Sequence, residues 1–229
     1  RAFRLPSAND MPVLGRDLLH QVSRVILNEA VLMHDLSPRT RITGSIYRFS
    51  VSGEFMLDPL TGKNVYDAKT QTSGAEVQFE TETVQRNRLR GSLAWQNAKD
   101  PGGSQQVNSP HLLAKLQTSA PLWDNRFRLG LETLWVGSRL TSPLIDGSNV
   151  VIAPARRLGG YGLVNLTLSS QAKWHGWAVS AGVKNLFNRR HESAVRSTFP
   201  VGSPSGVVFD SLSVGDRTLW LQLSYDHWN

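Results

Sequence analysis

Cysteine is missing from all 229 residues, so no disulfide framework staples this chain and no thiolate holds a metal. Long apolar runs are missing as well. No window reaches the roughly 18 consecutive apolar residues of a membrane helix, so any membrane here is not crossed by helices. The common catalytic spacings are absent: there is no Gly-x-x-x-x-Gly-Lys loop, no His-Glu-x-x-His, and no Gly-x-Ser-x-Gly elbow, since "GSPSG" at 202–206 carries Pro204 at its centre. The six histidines lack ligand spacing, which predicts no metal site, and nothing calls for a cofactor. The single Asn-x-Thr match, "NLT" at 165–167, falls inside a predicted strand and reads as chance. Arg1 follows no Met and no charged-then-apolar leader, so the chain is expected to begin inside a longer or processed one.

Charge is sparse and of mixed sign. Lys and Arg number 25 against 18 Asp and Glu, giving +7. Clustered cations would suit phosphates, but these are interleaved with acids and form no basic helix, which argues against nucleic acid. A solvated basic surface, or contact with anionic lipid or an anionic ligand, accounts for the excess.

What the sequence has in quantity is alternation. In "SGAEVQFETETV", Ala75, Val77 and Phe79 share one side of a strand, while Glu76, Gln78, Glu80 and Glu82 share the other. "RFRLGLETLW" sets Phe127, Leu129, Leu131 and Trp135 against Arg128, Gly130 and Glu132. "WAVSAGVKNLF" sets Trp177, Val179, Ala181, Val183 and Phe187 against Ser180, Gly182 and Lys184, and "TLWLQLSYD" sets Leu219, Leu221, Leu223 and Tyr225 against Trp220, Gln222, Ser224 and Asp226. The predicted strands are 24–35, 41–55, 73–84, 88–98, 110–120, 125–138, 159–171, 175–187 and 216–226, with residues 1–4 as the tail of one more. Tight turns at 37–40, 85–87, 121–124 and 172–174 alternate with long links at 56–72, 99–109, 139–158 and 188–215.

Short connections on one edge and long ones on the other describe an up-and-down meander of the outer-membrane barrel kind, apolar outward and polar inward. At about 3.3 Å per residue and a tilt near 40°, Phe127 and Trp135 stand about 20 Å apart along the barrel axis, and Trp177 and Phe187 about 25 Å, matching an apolar band with aromatic rims. Trp123 and Trp174 then mark the short-turn rim and Trp95 the long-loop rim. A Lys or Arg facing lipid at mid-membrane costs roughly 2–4 kcal/mol and little when facing a wet interior. Glu76, Glu80, Glu82, Arg128, Glu132 and Lys184 are therefore expected to face the lumen.

Two stretches carry a family likeness. "RAFRLPSANDM" (1–11) resembles the Arg-x-Pro-Ser motif of TonB-dependent outer-membrane receptors, and "VKNLFNRRH" (183–191) resembles their Asn-Leu-Phe motif near the C-terminus. "SPHLLAKLQTSAPL" and "GGYGLVNLTLSS" are similar to their later strands. Asp10 replaces the usual Glu and His191 the usual aromatic, and the aromatic that ends such chains is out of phase here, since His227 and not Trp228 continues the Leu221, Leu223, Tyr225 face.

The resemblance implies an all-β fold in which residues 1–229 are the C-terminal nine or ten strands of a 22-stranded barrel of a Gram-negative outer membrane. The plug domain, the TonB box and the early strands would lie upstream, and the TonB complex would act through that missing part. It implies a non-enzymatic importer of a scarce small-molecule ligand, foremost a ferric siderophore, with cobalamin or another chelate as alternatives, and with outer-membrane lipid and lipopolysaccharide as neighbours. Ligand contact is expected among the basic residues of the outer loops: Arg139, Arg156, Arg157, Arg189, Arg190, His191 and Arg196. Contact of these residues with lipopolysaccharide phosphates is the competing reading. Two other classes stay open. A small autonomous barrel, porin-like or a hydrolase, would want His191 or His111 beside Asp100 or Asp146, and a soluble all-β binding module would need the Leu/Val/Trp face packed as a core.

Overall fold

The computed structural model describes residues 2–4, 23–57, 64–145, 151–171, 174–195 and 210–226. Its strands are β1 (Ala2–Arg4), β2 (Ser23–Ser37), β3 (Thr40–Leu57), β4 (Asn64–Glu82), β5 (Arg88–Lys99), β6 (Leu112–Leu122), β7 (Phe127–Val136), β8 (Arg139–Leu140), β9 (Leu144–Ile145), β10 (Val151–Ala153), β11 (Arg157–Leu158), β12 (Tyr161–Ser170), β13 (Trp177–Lys184), β14 (His191–Ala194), β15 (Ser211–Val214) and β16 (Thr218–Tyr225). No helix occurs among the described residues. Ten strands make one antiparallel sheet in the order β1-β2-β3-β4-β5-β6-β7-β12-β13-β16, and three two-stranded ribbons, β9–β10, β8–β11 and β14–β15, rise from its long-link edge.

Turn chemistry sets the short edge. Ser37 pairs with Thr40 across Pro38 and Arg39. Trp123, Asp124 and Asn125 all take positive φ, and His175 and Gly176 supply the two left-handed residues that a two-residue hairpin turn needs. Trp123 lies edge-on to Phe127 at 5.3 Å, and Trp177 packs against Tyr225 at 5.0 Å, placing aromatics along this edge.

The sheet has two unlike faces. One register row of the apolar face runs Leu89, Thr118, Leu131, Leu166, Val183 and Leu219 across six strands. No layer covers it: Leu219 is 74% exposed and Leu221 67%, and only Ala98, Val136 and Leu158 are buried hydrophobics among the described residues. The soluble-module alternative fails here, because it requires this face to be a packed core.

The polar face is closely fitted where aromatics meet glycines. Gly182 pairs with Trp220 and Gly74 with Tyr47 across neighbouring strands. A Cβ on Gly182 would sit 2.7 Å from the Trp220 ring and from the Leu166 carbonyl, so the ring lies flat only because no side chain is there.

Several boundaries differ from expectation. β4 begins at Asn64 rather than 73, so most of the predicted 56–72 link is strand, paired Leu57 to Asn64 and Met56 to Val65. Irregular pairing between Val51 and Met56, with Gly53 at φ 75°, breaks the period-two signal there. The 121–124 turn moves to 123–126, because Pro121 stays in β6 opposite Arg128. β13 stops at Lys184 rather than 187, since Asn185 turns left-handed, leaving Phe187 in the turn. The links 139–158 and 188–215 contain the three ribbons. Residues 5–11 of the first motif, "GSPSG" and the end at 227–229 lie outside the described residues.

Gly182→Val is expected to destabilise the folded wall by about 1–3 kcal/mol through overpacking against Trp220. Gly44→Ala, where nothing lies within 4 Å of the added carbon, should be nearly neutral. Thermal unfolding of both variants side by side measures the difference.

Candidate functional site

On the polar face the register assembles a row that no single strand reveals: Asp35, Arg41, Glu80, Arg90, Gln117, Glu132 and Asn165 lie opposite one another on consecutive strands. Charges alternate along its first four members. Arg41 Nε donates to Asp35 at 2.7 Å, and Arg90 lies 3.4 Å from Glu80. Glu132 accepts from Gln117 at 3.1 Å and from Asn165 at 2.9 Å. Next to the row, Arg88 donates to Glu82 at 2.8 Å and Arg128 donates to the Ser119 hydroxyl at 3.0 Å. Glu76, Glu80, Glu82, Arg128 and Glu132 thus share one side of the sheet, as does Lys184, which pairs with Thr218. A shallow depression of about 320 Å³ is lined by Arg88, Arg90, Gln117, Ser119, Glu132 and Asn165, among others.

Asn165 also joins this wall to the long-link edge. Its side-chain oxygen accepts from the Asn185 backbone N–H at 2.9 Å. Asn185 is buried and left-handed, and its amide donates to the carbonyls of Arg189, at 3.0 Å, and Gly215 while accepting from the Arg189 N–H at 2.9 Å. Asn188, left-handed too, accepts from the Arg217 N–H at 2.8 Å. The two asparagines of "NLFN" therefore bend the chain out of β13 and grip it where it returns into β16. Asn is suited to both tasks, tolerating positive φ and replacing lost ladder bonds with its amide.

Above that turn the ribbons converge on Arg156. Its guanidinium meets Glu192 at 2.6 Å and Asp210 at 2.6 Å, and it donates to the Ser211 hydroxyl at 2.6 Å. These charge-assisted bonds hold both carboxyls below their ordinary range and raise the arginine further above its own. Beneath lies an aromatic stack, with His191 over Tyr161 at 3.7 Å. Arg139, almost fully buried, has its guanidinium 5.1 Å from the Tyr161 ring centroid and donates to the Glu192 carbonyl. Burial pushes the His191 pKa down, favouring the neutral ring in the stack.

The seven outer basic residues therefore divide. Arg156 is engaged by two carboxylates, and Arg139 and His191 are packed on Tyr161. Arg157 is exposed and donates to the Ser138 hydroxyl at 3.2 Å, and Arg190 lies 3.4 Å from Asp216 with both side chains largely in solvent. Arg189 is exposed, while Arg196 lies outside the described residues. Sequence reasoning missed Tyr161, Glu192 and Asp210, because the residues they meet in this cluster are 22 to 54 positions away and no local pattern links them. Asn185 and Asn188 were within reach, since paired asparagines after a strand signal a left-handed exit.

The hydrolase arrangement does not assemble among the described residues. His111 Nδ1 is in hydrogen-bond contact with the Gln96 carbonyl at 2.8 Å, Asp100 accepts from the Ser104 N–H at 2.9 Å, and His191 is stacked on Tyr161. Asp146 lies outside the described residues. No three His, Asp or Glu side chains are grouped to hold a metal among the described residues.

The family model described as "TonB dependent receptor-like, beta-barrel" matches residues 34–186, more than half of the sequence. The chain belongs to the TonB-dependent receptor β-barrel family. No curated protein sequence matches it. Among solved structures, it is similar to the ferripyoverdine receptor of the outer membrane of Pseudomonas aeruginosa (TM-score 0.68, 14% identity, 89% of this chain and 27% of that one). It is also similar to the ferric yersiniabactin uptake receptor FyuA from Yersinia pestis (TM-score 0.66, 15% identity, 90% and 30%) and to BauA, the ferric preacinetobactin receptor from Acinetobacter baumannii (TM-score 0.61, 20% identity, 90% and 29%). The chain thus spans under a third of the length of each, and these likenesses establish the barrel fold. Within this receptor barrel the match ends at the Asn185 turn, one residue past the buried asparagine.

The Arg156 clasp titrates with a defined sign. Since Glu192 and Asp210 have folded pKa values below their ordinary 4.5 and 3.8, its stabilisation is complete above those values and is lost as pH falls below them. Hydrogen exchange at 191–194 and 211–214 should rise roughly tenfold in Arg156→Gln at neutral pH, with β7 and β12 unchanged. Acidification through the lowered pKa values of Glu192 and Asp210 should bring the unaltered protein to the variant's level.

Proposed function

We propose that this chain is the C-terminal part of the barrel of an outer-membrane importer that takes up a ferric siderophore with energy delivered by TonB. The carrying observation is the two-faced wall: an uncovered apolar face backed by a continuous row of charged and amide side chains. An apolar face without a covering layer suits lipid, and a polar inner face suits a hydrated lumen enclosing a plug. The open edges at β1 and β16 would be paired by further strands, completing a barrel of 22, with plug and TonB box upstream. The described neighbours that bind ferric siderophores support the ligand class.

In this reading Glu76, Glu80, Glu82, Arg128, Glu132 and Lys184 line the lumen. Arg157, Arg189 and Arg190, with Arg196, offer cations to an anionic chelate, while Arg139, Arg156 and His191 position the loops that carry them. No residue is assigned a catalytic role.

Lipid contact is tested by charge placement on one strand. Leu221→Arg should cost about 2–4 kcal/mol and sharply lower folded barrel in the outer membrane, whereas Gln222→Arg on the opposite face should cost little. Equal yields would overturn the facing. Uptake is tested with the full-length receptor in cells lacking other iron receptors. Radiolabelled ferric siderophores should enter only when TonB is present, and Arg157→Ala with Arg189→Ala should weaken binding by about tenfold. TonB-dependent entry of cobalamin instead would reassign the ligand, and TonB-independent leakage would favour a porin-like barrel.

A further inference from the structure

Most strands of this wall keep oily side chains on one face and polar ones on the other, but β2 does not. Its residues in phase with Asp35 on the polar face include Leu27, Val31 and Met33, which are 54%, 53% and 65% exposed. Leu32 and Leu36 stand on the opposite face, so β2 is apolar on both sides. On the other strands of the ten-stranded sheet, the exposed large hydrophobics among the described residues all belong to the apolar face. β3 widens the inner patch. Phe49 lies opposite Leu27 and stacks with Tyr47 at 6.4 Å and 17°. Tyr47 in turn lies across Gly74, where an added Cβ would come within 2.6 Å of its ring. Glu29, opposite Tyr47, is the one charged side chain between Leu27 and Met33 on this face.

What can cover this stripe follows from where it faces. A further strand beside β2 would flank these side chains and leave their tops bare, because neighbours in a ladder lie in the sheet and not over it. Lipid meets the opposite face. Once the wall closes into a barrel, only a body inside the lumen reaches Leu27, Val31 and Met33. The chain covers 27%, 30% and 29% of the three similar receptors described above, which leaves ample polypeptide for such a body.

From β5 to β12 the short-turn half of the same face has the opposite character, with Arg88, Arg90, Gln117, Glu132 and Asn165 around the 320 Å³ depression. An enclosed domain would therefore leave the two walls at unlike cost. Polar contacts exchange for water at little net cost and are screened by salt, whereas parting from the β2–β3 stripe exposes apolar surface on both partners. We infer that the inner stripe of β2 and β3 is the apolar seat of the enclosed plug domain, and that this seat stays closed while the plug parts from the polar wall of β5 to β12 to let the ligand pass. The inference rests on the importer reading above.

The test uses full-length receptor in cells lacking other iron receptors, with the photoreactive residue benzoylphenylalanine placed singly at Met33, Gln117 or Leu32. Heat-shifted electrophoretic mobility confirms folding, and Val31 serves as a second position on the seat. After irradiation, mass spectrometry should map plug adducts from Met33 and Gln117 and none from Leu32, one residue away on the lipid-facing side. TonB-dependent uptake of the radiolabelled iron complexes of pyoverdine, yersiniabactin and preacinetobactin is then compared before and after irradiation. Tethering at Met33 should leave uptake unchanged, and tethering at Gln117 should abolish it in the fraction of receptor tethered. Folded receptor whose Met33 and Val31 positions give no plug adduct, or whose uptake stops on tethering there, would overturn the seat while leaving the importer reading intact. Uptake of none of the three complexes, with or without TonB, would count against the importer reading, and the Met33 adducts would still decide where an enclosed domain sits.

Discussion

Everything in this molecule depends on one antiparallel backbone ladder that links ten strands side by side. A ladder fixes each side chain to one of two faces, so a one-residue slip would exchange lipid-like and water-like surfaces along a whole strand. Neither face has a second layer to pack against among the described residues. Backbone hydrogen bonding and lateral contacts between neighbouring side chains thus take the place of a buried core. This explains why fits such as Trp220 on Gly182 matter, since the only packing available lies within the sheet.

The polar face uses the register differently. Asp35, Arg41, Glu80 and Arg90 come from four strands and alternate in sign, so Arg41 lies between two carboxylates and Glu80 between two cations once the strands are aligned. Isolated exposed ion pairs contribute little to stability. Their arrangement serves specificity, because a slipped register would remove these pairs and bring charges onto the apolar side.

Alternation, turn spacing and face assignment were legible in the sequence because each depends on neighbours two residues apart or on local turn chemistry. β4 shows the limit: between Asn64 and Thr72 the strand no longer separates an oily from a wet face, and the bulge after Val51 shifts the phase. The Arg156 clasp shows another. Arg156 was visible as a basic loop residue, but whether a loop arginine meets a ligand or a carboxylate depends on ribbons that close 36 and 54 residues away. Asn185 lay between these cases, recognisable as a motif residue, with its physical role emerging only where Gly215 returns beside it.

The β14–β15 ribbon is held by unlike interactions. At its root, Asn185 and Asn188 bind backbone groups with neutral amides, and Asn185 is buried, so separating them would strand several polar groups out of reach of water. Along the ribbon Arg156 holds Glu192, next to the root, and Asp210, at the far end, through ion pairs whose arginine is exposed, so that their opening exchanges protein partners for water and is screened by salt. The asymmetry fixes which of these holds is sensitive to the medium. Acid or salt weakens the Arg156 ion pairs first, while the asparagine turn, the Arg139 bond to the Glu192 carbonyl and the His191 stack on Tyr161 are left in place.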